Sequence, residues 1–173
     1  MIKNIDLPLN DDVIKQLKCG DRVLLNGNII TARDMAHKRF CDALSRGEKL
    51  PISLENETIY YVGATPPRPG NICGSAGPTS SKRMDPFTPT LLDLGVKGMI
   101  GKGARNIETI DAIKRNGCVY FCAVGGAGAL ISKSIVEVEP LCYEDLGTEG
   151  VYRYTLKDFP CIVAIDCQGN SLL

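Results

Sequence analysis

The sequence has no excess of either charge, no export signal, no apolar run long enough to cross a bilayer, no C-x2-C pair and no linker. Each lack excludes something. Lys plus Arg equals Asp plus Glu at 20 each, so nothing pulls the chain generally toward nucleic acid or an anionic membrane surface, and any anion binding must come from local placement of cations. The opening residues MIKNIDLPLN lack the apolar core of a signal peptide, so a cytoplasmic location is expected. Without a linker, low-complexity tract or internal repeat, residues 1–173 are expected to form one domain with a single sizeable core. Eight cysteines are present, but a disulfide framework does not fit a chain without an export signal. Cys118 and Cys122, in the strand-like run CVYFC, stand too far apart along a strand for easy joint chelation. These cysteines read as small buried apolar residues, and no metal site built from this chain is expected.

What is present alternates between strand-like and helix-like patterns, which favours a mixed α/β fold. Asn10 caps a helix over 10–20 that Gly20 ends. RVLLNGNII reads as a strand pair or one bent strand, with Asn26-Gly27 as a turn signal. A second helix is predicted from Ala32 to Arg46, capped by Thr31, with Met35, Ala36, Phe40, Ala43 and Leu44 on its inner stripe. ISL and TIYYVGA read as strands, GSAGPTSSKRMD as a long ordered loop, and Thr88-Pro89 as the start of a helix stopped by Gly95. VKGMIG is a short strand. Asn106 to Asn116 is a helix with Ile107, Ile110 and Ile113 inward. CVYFCAV is a buried strand, and GGAGALISKSI a Gly-rich turn into a helix. VEVEPLCYEDLG is partly strand, and VYRYTLKDF and PCIVAIDCQG close the chain as two strands. Strand exceeds helix, which suggests two sheets, or one sheet with helices on one side, and not a regular βαβ repeat.

Four polar clusters remain. In TARDMAHKR, Arg33 falls in the first turn of a helix, where free N–H groups already attract anions. A cation there opposes the helix dipole, so it serves either an anion or a solvated charged face paired through Asp34 and Lys38. His37, four residues on, is the only histidine and reads as a structural hydrogen-bonding residue. In GPTSSKRMD, small residues permit close approach, and three hydroxyls with Arg83 suit a carboxylate or phosphate; the alternative is a mobile surface loop. Lys102 sits between glycines at a strand end, which taken alone reads as a simple exposed turn, and the P-loop spacing is absent. GGAGAL, residues 125–130, lacks the dinucleotide spacing and reads as a tight turn.

Together GDRVLLNGNIITARDMAHKR, GPTSSKRMDPFTPTLLDLGVKGMIGKG and CVYFCAVGGAGALISKSI resemble the β subunit of class I, iron–sulfur-dependent fumarate hydratases, and the similar β subunit of L(+)-tartrate dehydratases. The resemblance runs over nearly the whole chain. It implies a compact, layered β/β/α swivelling-type single domain. It also implies a partner α subunit that holds a [4Fe–4S] cluster on three cysteines, with αβ pairs that dimerise, acting on a small dicarboxylate such as fumarate or malate. It assigns substrate-carboxylate binding to Arg33 and Arg83, substrate contact to Lys102, and the role of catalytic base to Thr79. Ser80 stands where the family often has Thr, which keeps the hydroxyl. Asp34, His37, Ser80 and Asp85 are expected to stand behind these residues.

Overall fold

The computed structural model describes residues 1–123 and 131–173. Its strands are β1 (Ile2–Asp6), β2 (Arg22–Thr31), β3 (Thr58–Tyr60), β4 (Gly98–Gly101), β5 (Val119–Cys122), β6 (Ile135–Cys142) and β7 (Val151–Ile165). Its helices are α1 (Asp11–Gln16), α2 (Asp34–Ser45), α3 (Thr88–Asp93) and α4 (Ile107–Asn116), with 3-10 turns at Ser81–Met84, Ser132–Ser134 and Glu144–Glu149. The result is one mixed α/β domain on a single seven-stranded sheet of order β1-β2-β3-β4-β5-β7-β6.

Strands β2 to β5 pair in parallel and in sequence order. The antiparallel strand β7 joins β5 on one side and β2 on the other. It thereby closes β2, β3, β4, β5 and β7 into a ring, with β1 beside β2 and β6 beside β7. Both faces of this sheet are buried, and side-chain alternation divides them. Tyr60, Ile100, Val119, Phe121 and Val163 point into the ring, where Ile14 and Leu17 from α1 and its end join them. Ile59, Tyr61, Met99 and Tyr120 point outward against Phe40 of α2, Leu91 and Leu92 of α3, and Ile113 of α4.

Several expectations are corrected. The succession β2-α2-β3-α3-β4-α4-β5 is a regular parallel βα repeat, contrary to the reading that excluded one; β3, β4 and β5 have only three or four residues each, too few to display a period. Of the two readings of residues 22–31, the single bent strand is the one found, with an irregularity between Leu25 and Gly27. The two closing strands are one strand, β7, interrupted at Asp158, whose φ is 51°. The first helix stops at Gln16, short of Gly20, because Leu17 turns inward to the core. Helix α2 starts at Asp34 with Arg33 as N-cap, since Thr31 is the last residue of β2 and its hydroxyl bonds Gly150 O and Tyr152 N–H. Its inner stripe is Ala36, His37, Phe40 and Ala43, while Met35 is exposed. Ile107 is likewise exposed, and Thr109, Ala112 and Ile113 are the buried residues of α4. ISL is not a strand. The Gly-rich turn and most of the helix expected after it fall on 124–130, outside the described residues; Ile131 is helical and a 3-10 turn follows at Ser132–Ser134.

Candidate functional site

The parallel strands β2, β3 and β4 end at Thr31, Tyr60 and Gly101, and the segments that follow carry the residues of interest. Ligands of parallel α/β sheets gather at these carboxyl ends, where loops diverge.

Arg33 follows β2 directly. Its main-chain carbonyl accepts from His37 N–H at 3.0 Å and lies 2.8 Å from His37 Nδ1. Its side chain reaches across the exit of β3. Arg33 Nε is buried and has no hydrogen-bond partner among the described residues; Glu149 Oε1 faces it at 4.0 Å. That carboxylate oxygen also stands 3.4 Å from Met35 N, at the N-terminus of α2. Arg83 Nε donates to Asp34 Oδ2 at 2.8 Å, which sets Arg83 beside the residue that follows Arg33. Asp34 Oδ1 is buried and has no hydrogen-bond partner among the described residues. Arg83 is engaged on its Nε side, and its exposed end is free to form a fork to a planar anion.

The 79–85 segment is docked by its backbone. Thr79 N–H donates to Tyr61 O at 2.7 Å, one residue past β3. Ser80 forms a parallel bridge to Lys102, and Ser81 N–H donates to Lys102 O at 2.9 Å. This approach requires glycine at 101: a β-carbon there would overlap Ser81 Oγ. Tyr120 on β5 lies 2.7 Å from Ser81 Oγ and 2.8 Å from Gly103 O, which fixes the turn on either side of Lys102. Lys102 is exposed; Thr79 and Ser80 are half-buried. Arg33, Thr79, Arg83 and Lys102, far apart in sequence, are thus joined by a short chain of contacts at one end of the sheet.

The flanking residues divide in two. Asp34 lies in the site. His37 and Asp85 lie beneath it. His37 is buried, edge-on to Tyr61 with ring centroids 5.4 Å apart. Burial pushes its pKa down to about 4, against the smaller raising effect of its bond to Arg33 O, so it is neutral near pH 7. Asp85 is buried and accepts from Arg105 Nε at 2.6 Å, from Asn106 N–H at 2.9 Å and from Thr109 Oγ1 at 3.3 Å.

Arg105 was not among the expected residues. Its guanidinium, fully buried, also reaches Tyr61 OH at 3.1 Å and Thr88 Oγ1 at 2.9 Å, and stacks near the rings of Tyr61 and Tyr120. It ties the end of the Thr79–Asp85 segment to β3, β5 and the start of α4. Glu149 was missed as well. No local pattern in GARN or GTEG marks either residue, because their partners lie far away in sequence.

The eight cysteines are free thiols. Burial raises Cys118 to about 12 and pushes Cys161, Cys73, Cys41, Cys142 and Cys19 upward. Metal ligation needs the thiolate, and among the described residues no three His, Cys, Asp or Glu side chains converge as ligands.

Residues 2–173 match the family model described as fumarase C-terminus. The chain is 37% identical over 165 residues to a putative L(+)-tartrate dehydratase subunit beta of Methanocaldococcus jannaschii, covering 92% of this chain and 85% of that protein. It is 35% identical over 161 residues to fumarate hydratase 2 of Leishmania major, covering 92% of this chain but 28% of that enzyme. It is 35% identical over 160 residues to the aerobic class I fumarate hydratase of Escherichia coli, covering 91% of this chain and 29% of that enzyme. The chain therefore spans less than a third of each of these two fumarate hydratases.

Proposed function

This chain belongs to the fumarase C-terminus family, and on that premise we propose that it is the substrate-gripping β subunit of a two-component hydro-lyase that reversibly hydrates fumarate to L-malate. Arg33 and Arg83 take the two carboxylates, Lys102 contacts the substrate, and Thr79 is the proton-transferring group. The observation that carries this reading is the ion pair of Arg83 with Asp34, the residue next to Arg33, beside the Thr79 and Lys102 segments that bond each other's backbone at the ends of β3 and β4. Arg33 Nε supports it: among the described residues it is buried with no hydrogen-bond partner, Glu149 standing 4.0 Å away, and a buried donor left unbonded costs about 1–3 kcal/mol, which an arriving carboxylate would offset.

The chemistry suits these groups. Moving a proton on or off the carbon beside a carboxylate builds negative charge that spreads into that carboxylate. Fixed cations at that carboxylate stabilise the charge where it develops; this falls to Arg83 and Lys102, while Arg33 holds the other carboxylate. Thr79 is a weak base at its ordinary pKa, so it depends on the nearby cations Arg83 and Lys102 to hold its deprotonated form. The remaining chemistry is assigned to a partner α subunit, whose [4Fe–4S] cluster would supply a Lewis acid for the hydroxyl. On this reading the ring and its helical layer are the β/β/α swivelling-type domain of the family, αβ pairs dimerise, and the enzyme is cytoplasmic.

A second reading is the β subunit of an L(+)-tartrate dehydratase. It is favoured by the similarity to the Methanocaldococcus jannaschii protein along 85% of that protein's length. The same two-arginine grip holds a hydroxylated dicarboxylate.

The test is reconstitution. The chain is mixed anaerobically with an iron–sulfur α subunit, and fumarate, malate and L-tartrate turnover are followed. The chain alone is expected to be inactive, and the mixture active and oxygen-sensitive. Arg33→Ala and Arg83→Ala should each lower kcat/KM by about a hundredfold or more, the range for a charge-assisted bidentate contact, with the melting temperature unchanged. Tight dicarboxylate binding by the chain alone would instead make it a stand-alone binding module. Full activity with Arg33, Thr79, Arg83 and Lys102 all substituted would remove the site.

A further inference from the structure

Gly63 lies three residues past the end of β3, and its φ is outside the left-handed region. The need for glycine there is therefore not conformational. It is spatial: a β-carbon built at 63 would lie 3.0 Å from Arg33 Cδ, 3.1 Å from Arg33 Nη1 and 3.1 Å from Thr148 O. Other glycines with ordinary φ make room for different neighbours: Gly98 for Thr58 and Leu9, Gly101 for Ser81 and Tyr61, and Gly74 for Thr65. At Gly63 the space is filled by the arginine of the site. The same side chain faces Glu149 at 4.0 Å, and its backbone is fixed as the N-cap of α2.

We infer that Gly63 is a positioning residue for Arg33: its missing side chain is the slot in which the guanidinium stem lies, and the slot sets where Arg33 meets a substrate carboxylate. The inference rests on the proposed role of Arg33. Thr148 O is backbone and forms the far wall. A methyl group at 63 would need a few tenths of an ångström from its neighbours; since that oxygen is backbone, the arginine side chain is the partner that gives more readily. Arg33 holds a carboxylate that is present in both the bound substrate and the transition state. Displacing it therefore removes uniform binding, which appears in KM more than in kcat.

The experiment uses the reconstituted αβ complex with fumarate as substrate. Gly63→Ala is expected to raise KM about tenfold while kcat stays within about threefold. In an Arg33→Lys background, where the planar group is gone, the same substitution should change KM by less than about twofold. Unchanged KM for Gly63→Ala overturns the inference, as does an equal effect in both backgrounds, which would mean that Gly63 acts through something other than Arg33. If Gly63→Ala does not fold, adding Arg33→Ala should restore at least half of the lost melting temperature, because the arginine is what the methyl meets; no recovery also overturns it. Arg33→Lys serves as the separate control. Wild-type KM and kcat in that variant would sink the proposed site itself, and not the slot alone.

Discussion

His37 illustrates what a single residue does here and what the sequence could say about it. Its ring lies under the start of α2, bonded to Arg33 O and packed on Tyr61 and Phe87. Its position four residues after Arg33 was legible. Its burial was not, because that depends on α2 facing β3. The folded pKa is lowered from 6.5 to about 4, chiefly by burial. The unfolded chain therefore binds the extra proton first, and stability rises with pH wherever that holds. The contribution is complete above pH 6.5 and is lost as pH falls toward 4; its full size is on the order of 3 kcal/mol. A His37→Gln variant should be less stable near neutrality yet show a flatter fall in melting temperature between pH 6.5 and 4, as measured by scanning calorimetry at a series of pH values. A parallel slope in both proteins would mean that the imidazole does not titrate there. Helix caps were easier to read. Asn10 and Asn106 accept from Val13 N–H and Thr109 N–H, as local chemistry dictates. Thr31 broke the pattern because the sheet claims its hydroxyl.

Among the elements, strands β3, β4 and β5 were found by their apolar character but not by any period, and the order in which they pair was not legible. The loop between Gly74 and Asp85 was read as ordered. The reason for its order was not visible, because it is fixed by Arg105, twenty residues beyond Asp85. This pair is buried on both sides, with side-chain exposures of 0% and 3%. Removing one member leaves a charge without its partner, which costs about 3–5 kcal/mol. Arg105→Met should cost that much in urea unfolding. It should also loosen the Thr79 segment, seen as faster amide exchange at Thr79 and Ser81, whose N–H groups bond Tyr61 O and Lys102 O. Adding Asp85→Leu should recover only part of the loss. That carboxylate also bonds Asn106 N–H at the start of α4 and the Thr109 hydroxyl, and an apolar replacement leaves both unmet. Full recovery would mean that the pair acts through its charges alone.

For the molecule as a whole, what the sequence could not show is closure. The parallel succession from β2 to β5 is a local repeat, and a local repeat would leave an open sheet with two edges. The ring forms because β7 lies between β2 and β5, pairing residues near the start of the chain with residues near its end, such as Val23 with Cys161. No sequence window spans that distance, and the interruption at Asp158 disguised the long strand as two. The energetic weight of β7 follows from its burial. Val151, Tyr154, Leu156, Phe159, Val163 and Ile165 are all buried, and at about 1.5–3 kcal/mol for each large apolar side chain they contribute as much as the 5–15 kcal/mol net stability of a typical domain. β7 also supplies the wall against which β2 presents Thr31, and so the start of the segment that carries Arg33. A chain ended after Gly150 should therefore show no cooperative thermal transition and should bind a hydrophobic dye at room temperature, with strand content lost in circular dichroism. Removing only Ser171, Leu172 and Leu173, which are exposed and bond the ring mainly through Leu172 N–H to Ala164 O, should shift the melting temperature by only a few degrees. A cooperative transition in the Gly150-terminated chain would mean that the parallel repeat is stable as an open sheet and that closure serves the site rather than the fold.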